Sequence, residues 1–124
     1  MKARFIPSQK AFDHKGILLS TNGVIGGGDR TIPVNALDFV KAGETVKVPI
    51  SYDFGAIYLG FATCYIKKGD LYADLEGRGE IYGYPCIAGF RHSDSSFTLT
   101  EVSMVAVPGD DNLKPIEEQI KHLK

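Results

Sequence analysis

A chain of 124 residues, 44% hydrophobic and 23% charged, has the composition of one ordinary globular domain. Its formal net charge of −1 argues against a nucleic-acid-binding surface, which would show a basic excess. Two cysteines, Cys64 and Cys86, make neither a disulfide framework nor a CxxC or Cys/His metal spacing, so both read as buried free thiols.

No apolar run approaches the ~18 residues of a membrane span, and residues 1–8 hold no hydrophobic region of signal-peptide length. The expectation is a soluble, cytoplasmic protein with no membrane partner. Fourteen glycines, six prolines, six tyrosines and seven phenylalanines mark turns and strands more than helices, and with no Trp the Tyr and Phe rings supply the large packing groups.

In chain order, Arg4-Phe5-Ile6 predicts a short strand closed by Pro7, and residues 8–15 are polar. Residues 16–21 predict a strand ended by the turn dipeptide Asn22-Gly23. Gly26-Gly27-Gly28 lacks both the GxxxxGK[ST] spacing and a strand–helix context, so it reads as a loop and not as a phosphate cradle. Residues 34–41 predict one helical turn closed by Ala42-Gly43.

Residues 45–52 alternate, with Val46, Val48, Ile50 and Tyr52 on one side and Thr45, Lys47 and Ser51 on the other; Pro49 suggests an edge or a bulge. Residues 57–67, apolar on both faces, turn at Gly69-Asp70 into residues 71–76, which predicts a β-hairpin. Residues 96–107 predict a strand buried on both sides in its second half, as in a closed barrel flanked by a helix. Residues 113–124 predict a helix capped by Asn112, with Pro115 in its first turn, an apolar stripe of Ile116, Ile120 and Leu123, and a Glu117–Lys121 pair. The predicted class is mainly β: a small antiparallel β-barrel over 1–112, with a C-terminal amphipathic helix over 113–124 packed on the barrel or on a partner subunit.

Chemistry is sparse. The candidate nucleophile is Cys86, with Ser103 as a weaker one; His92 follows Cys86 by six residues, and Glu101 could orient it. A bend after Gly89-Phe90 would return His92 to the thiol. His14 and His122 read as surface residues, and three scattered histidines hold no metal-ligand spacing. No cofactor is expected.

Three stretches taken together resemble the prohead (capsid maturation) proteases of tailed bacteriophages and prophages. These are FIPSQKAFDHKGILLSTNG, VPISYDFGAIYLGFATCYIKKGDLYADLE and LTEVSMVAVPGDDN. In the last, Leu99, Glu101, Val102, Ser103, Val105, Pro108 and Asn112 fit the family's closing strand, with Gly109 in place of its Ala. The resemblance implies an assemblin-like β-barrel with flanking helices and a serine protease acting on scaffold and capsid proteins. This chain departs from the pattern at both reactive positions: Phe54 stands where the family's His would follow Tyr-Asp, and Cys86 where its nucleophilic Ser would begin a strand. Since Phe accepts no proton, the expectation is a catalytically degenerate, oligomeric member in capsid assembly, with capsid or scaffold proteins as partners. Two alternatives stay open: a cysteine-variant protease using Cys86 and His92, and an unrelated small oligomeric barrel that binds a partner protein.

Overall fold

The computed structural model describes residues 10–20, 34–41, 43–53, 55, 57–107 and 113–122. Six strands, β1 (Ala11–Ser20), β2 (Val46–Tyr52), β3 (Ile57–Lys67), β4 (Asp70–Arg78), β5 (Tyr84–Arg91) and β6 (Phe97–Val105), form one sheet in the order β1-β4-β3-β2-β6-β5. Two short helices, α1 (Asp38–Lys41) and α2 (Ile116–His122), pack against it. The predicted strand at residues 4–6, the Asn22-Gly23 turn, the glycine run and the Asn112 cap lie outside the described residues.

The hairpin of β3 and β4 is the most local part of the fold. Lys67 pairs with Asp70 across a two-residue turn, and both turn residues take positive φ, 52° at Lys68 and 85° at Gly69. That combination matches the right-handed twist of the strands it joins. β1 then adds to β4 along its whole length, including residues 11–15 of the stretch that reads as polar. The alternation is hidden because His14 pairs with Leu75 and Ile17 with Ala73, leaving one extra residue in β1. Gly16, at φ 72°, absorbs this bulge, and its N–H donates to Asp74 Oδ1 at 2.9 Å.

Two expectations about the sheet are corrected. It is mixed rather than antiparallel, because β2 and β6 run parallel at Ile50–Val102, Ser51–Ser103 and Tyr52–Met104. Nor is it closed into a barrel: β1 and β5 are the two ends of the strand order and do not pair. The seam between them is served by α2. Gln119 of α2 accepts from the Leu18 N–H at 2.8 Å and donates to the Leu18 carbonyl at 3.1 Å, so its amide satisfies the open edge of β1. At the other end the Ile116 N–H donates to the Gly83 carbonyl at 2.7 Å, beside the start of β5. The C-terminal helix thus packs on its own sheet.

That helix starts later than predicted. It begins at Ile116, with Pro115 supplying the carbonyl that accepts from Glu118 and Gln119. Its i,i+4 ion pair is Lys114–Glu118 at 3.4 Å, while Glu117 turns to the Gly83 N–H instead of to Lys121.

Pro49 sits inside a central strand. It pairs with Phe61 on one side, and the ladder to β6 starts one residue later, at Ile50. The missing donor therefore falls where the ladder to β6 has not yet begun. One sheet face carries the core: Ile17, Leu71, Leu75, Ala62, Cys64, Val48, Ile50, Val102, Met104 and Leu99, closed by Leu37 and Phe39 of the α1 segment and by Ile116. The opposite face of β3, also apolar in sequence, leaves Tyr58 and Phe61 exposed.

Candidate functional site

The sheet register decides which reactive side chains meet. Cys86 of β5 pairs with Ser103 of β6, and Ser103 pairs on its other side with Ser51 of β2. A row of three small polar side chains thus crosses three strands on the face opposite the core, at the ~4.8 Å spacing of neighbouring strands. Ser51 and Ser103 are both 0% exposed, and Cys86 is buried. Glu101, two residues before Ser103, is half-buried and accepts a hydrogen bond from the Ser51 hydroxyl. The Gly55 N–H donates to the same Ser51 oxygen at 3.1 Å. Ser51 therefore links the end of β2, the following turn and β6.

Of the residues expected to act together, Glu101 and Cys86 lie on adjacent strands, since Glu101 pairs with Ala88 and Ala88 is two residues from Cys86. His92 is elsewhere. β5 continues as a strand through Arg91, past a register shift between Ala88 and Gly89, so Gly89-Phe90 does not turn the chain back. At roughly 3.3 Å per residue, six residues of strand carry His92 up to about 20 Å from Cys86. There its Nε2 lies 2.5 Å from Thr98 Oγ1, which donates to Asp38 Oδ2 at 2.6 Å, and its ring meets Phe90 edge-on. This exposed relay fastens the β5–β6 turn to the α1 segment.

The electrostatics agree with that separation. Burial pushes the Cys86 thiol above its ordinary range, and it pushes Cys64, in the core, up to about 12. Reactive cysteines need the opposite shift, produced by a neighbouring cation or helix N-terminus. Ser51 and Glu101 make a hydroxyl–carboxylate pair, and a carboxylate is a weak base for a serine hydroxyl without an imidazole between them. Phe54, at the position the resemblance assigns to the general base, lies outside the described residues. His14 is half-buried in β1 and stacks on Phe12. Among the described residues no group of three His, Cys, Asp or Glu side chains could hold a metal ion.

A second feature opens at the end of the sheet where β2 and β6 finish and β5 begins. A cleft of about 450 Å³ is lined by Tyr52, Asp53, Tyr82, Gly83, Tyr84 and Glu117, with Met104, Val105, Ala106 and Pro115 behind them. The Tyr52 hydroxyl donates to the Glu80 carbonyl at 2.6 Å and accepts from the Tyr82 N–H at 3.2 Å. Burial is the main cause that raises the Tyr52 hydroxyl to about 12.

No family model, curated protein or solved structure matches the chain. The site therefore rests on its own geometry. Glu101 and Cys86 were legible as candidates, and Ser103 as a weaker one. Ser51 was not: in the strand pattern it is one more polar residue on an outward face. Only the parallel pairing with β6, fifty residues away, sets it against Ser103 and Glu101.

Proposed function

We propose that this chain is a prohead-protease-like domain that serves capsid assembly as a binding or structural part and does not cleave its partners. The carrying observation is the arrangement around Cys86: a buried thiol raised above its ordinary range, beside Ser103 and Glu101, with His92 beyond the far end of β5 and its ring bonded to Thr98. A polar row packed this way works as a structural element across β2, β6 and β5. Capsid or scaffold proteins are the partners, and the domain acts as an oligomer in the host cytoplasm or on the capsid. The exposed Ile57, Tyr58 and Phe61 of β3 offer apolar surface of the kind that assembly interfaces use.

The test combines a thiol-directed covalent probe with the scaffold and capsid polypeptides encoded beside the gene. The expected results are slow labelling of Cys86 at neutral pH, fast labelling after denaturation, retention of both polypeptides on the protein, and no cleavage of either. Fast native labelling, with cleavage abolished by Cys86→Ala, would establish a working protease and end this reading. Flanking genes with no capsid or portal protein among them would remove its capsid part, and a strictly monomeric elution profile its oligomeric part.

A further inference from the structure

We propose that the cleft at the end of the sheet is a receptor for a guanidinium group. This inference does not depend on the capsid reading, because it uses residues outside the Cys86 row. Three tyrosines and two carboxylates, Asp53 and Glu117, line the same space of about 450 Å³, and among the described residues no Lys, Arg or His belongs to its lining. An anion is repelled by such walls. A neutral apolar ligand would strip water from the carboxylates without replacing it. A cation meets both features favourably, by charge and by the electron-rich ring faces.

The aromatic wall is fixed before any ligand arrives. The rings of Tyr52 and Tyr82 lie 4.8 Å apart at 45°, and the Tyr52 hydroxyl is clamped between the Glu80 carbonyl and the Tyr82 N–H. Tyr82 remains 52% exposed, so its ring is reachable. Glu117 commits one oxygen to the Gly83 N–H at 3.0 Å, which orients the carboxylate. Asp53 is held at the rim by its own N–H, which donates to the Met104 carbonyl at 3.2 Å. Flat rings beside carboxylates favour a planar, delocalised cation that stacks and hydrogen-bonds at once; a lysine ammonium is a compact, strongly hydrated point charge.

The test is an NMR titration of the full chain with N-acetyl-arginine amide, its lysine counterpart and its citrulline counterpart, a neutral planar isostere. The arginine probe should move the amides of Asp53, Tyr82 and Gly83, and bind about fivefold or more tighter than the other two. In the double variant Asp53→Asn, Glu117→Gln that binding should weaken by about tenfold. Asn tolerates the φ of 48° at position 53, and Gln keeps an acceptor for Gly83, so the fold is retained. Equal binding of citrulline or lysine, undiminished binding by the double variant, or shifts confined to other surfaces would overturn the proposal. A capped Gly-Arg-Gly peptide that binds tighter than methylguanidinium assigns the group to a polypeptide, and equal binding assigns it to a free small molecule; either supports the guanidinium site.

Discussion

Ser51 is the residue whose removal tells most about the polar row. Its hydroxyl donates to Glu101 and accepts from the Gly55 N–H, and the side chain is wholly buried. A hydrogen bond to a charged group contributes about 1.5–3 kcal/mol, and one between neutral groups about 0.5–1.5 kcal/mol. Ser51→Ala removes one of each and leaves the Gly55 donor unmatched, so the expected loss is about 2–4 kcal/mol. Glu101→Ala removes only the charged bond, leaves the Ser51 hydroxyl with a single partner, and should cost about 2–3 kcal/mol. Because both variants delete the same bond, their effects should not add: the double variant should fall short of the sum by about 1.5 kcal/mol or more. Urea denaturation followed by far-UV circular dichroism measures all three, with a two-state transition expected for a single domain of this size. A coupling within about 0.5 kcal/mol of zero, the scatter of independent sites, would mean that Ser51 and Glu101 do not act as a pair. Glu101→Gln supplies the internal control, since an amide oxygen still accepts from Ser51 and should recover part of the loss.

Gly60→Ala should unfold the β3–β4 pair, because its Cβ would lie 2.1 Å from the Glu76 carbonyl oxygen and 2.6 Å from Gly77 Cα; a loss of about 3 kcal/mol or more is expected, and an unchanged melting temperature would contradict it. Gln119→Ala should cost about 1–3 kcal/mol and speed hydrogen exchange at the Leu18 amide, while unaltered exchange there would show that another group serves the β1 edge. Ile116→Ala, at a fully buried position, should cost about 2–5 kcal/mol in the same urea experiment. Alkaline pH should destabilise the fold: Cys64 and Tyr52 are each raised to about 12, from 9.0 and 10.0, so between those values the folded chain binds more protons than the unfolded chain. Stability from these groups is complete below about pH 9 and is lost as pH rises towards 12. Cys64→Val should flatten that loss, and an unchanged slope would remove Cys64 as a source.

Local signals carried the fold as far as local geometry reaches. The β3–β4 hairpin was legible because the turn residues lie between two strand-like runs, and β3 spans the predicted residues 57–67. The first half of β1 was not legible, because the strand carries two register shifts, one of them at Gly16, and its polar residues look like a loop. The parallel contact of β2 with β6 left no local trace. Burial on both faces was expected of the second half of residues 96–107; it holds at Val102, Ser103 and Met104 while Ala106 and Val107 are exposed, and closure into a barrel was the simplest geometry that supplies it. The sheet stays open instead, and a helix lies across the seam, where one glutamine side chain takes the place of a strand neighbour of β1.

The candidate site shows why nearness in sequence misleads in a β protein. Cys86, His92 and Glu101 fall within sixteen residues, yet a hairpin places each residue by its register and not by its separation. The β5–β6 register puts Cys86 opposite Ser103 and Ala88 opposite Glu101, and carries His92 to the turn. For His92 to reach the thiol, β5 would have to break near Gly89. A Cβ there would lie 1.9 Å from the Thr98 carbonyl oxygen, so Gly89 lets β5 approach β6 closely where it was expected to begin a bend. The same glycine thus keeps the strand continuous and the histidine remote. The residue that does meet Glu101 is Ser51, and it is found by following the hydrogen bonds outward from the carboxylate.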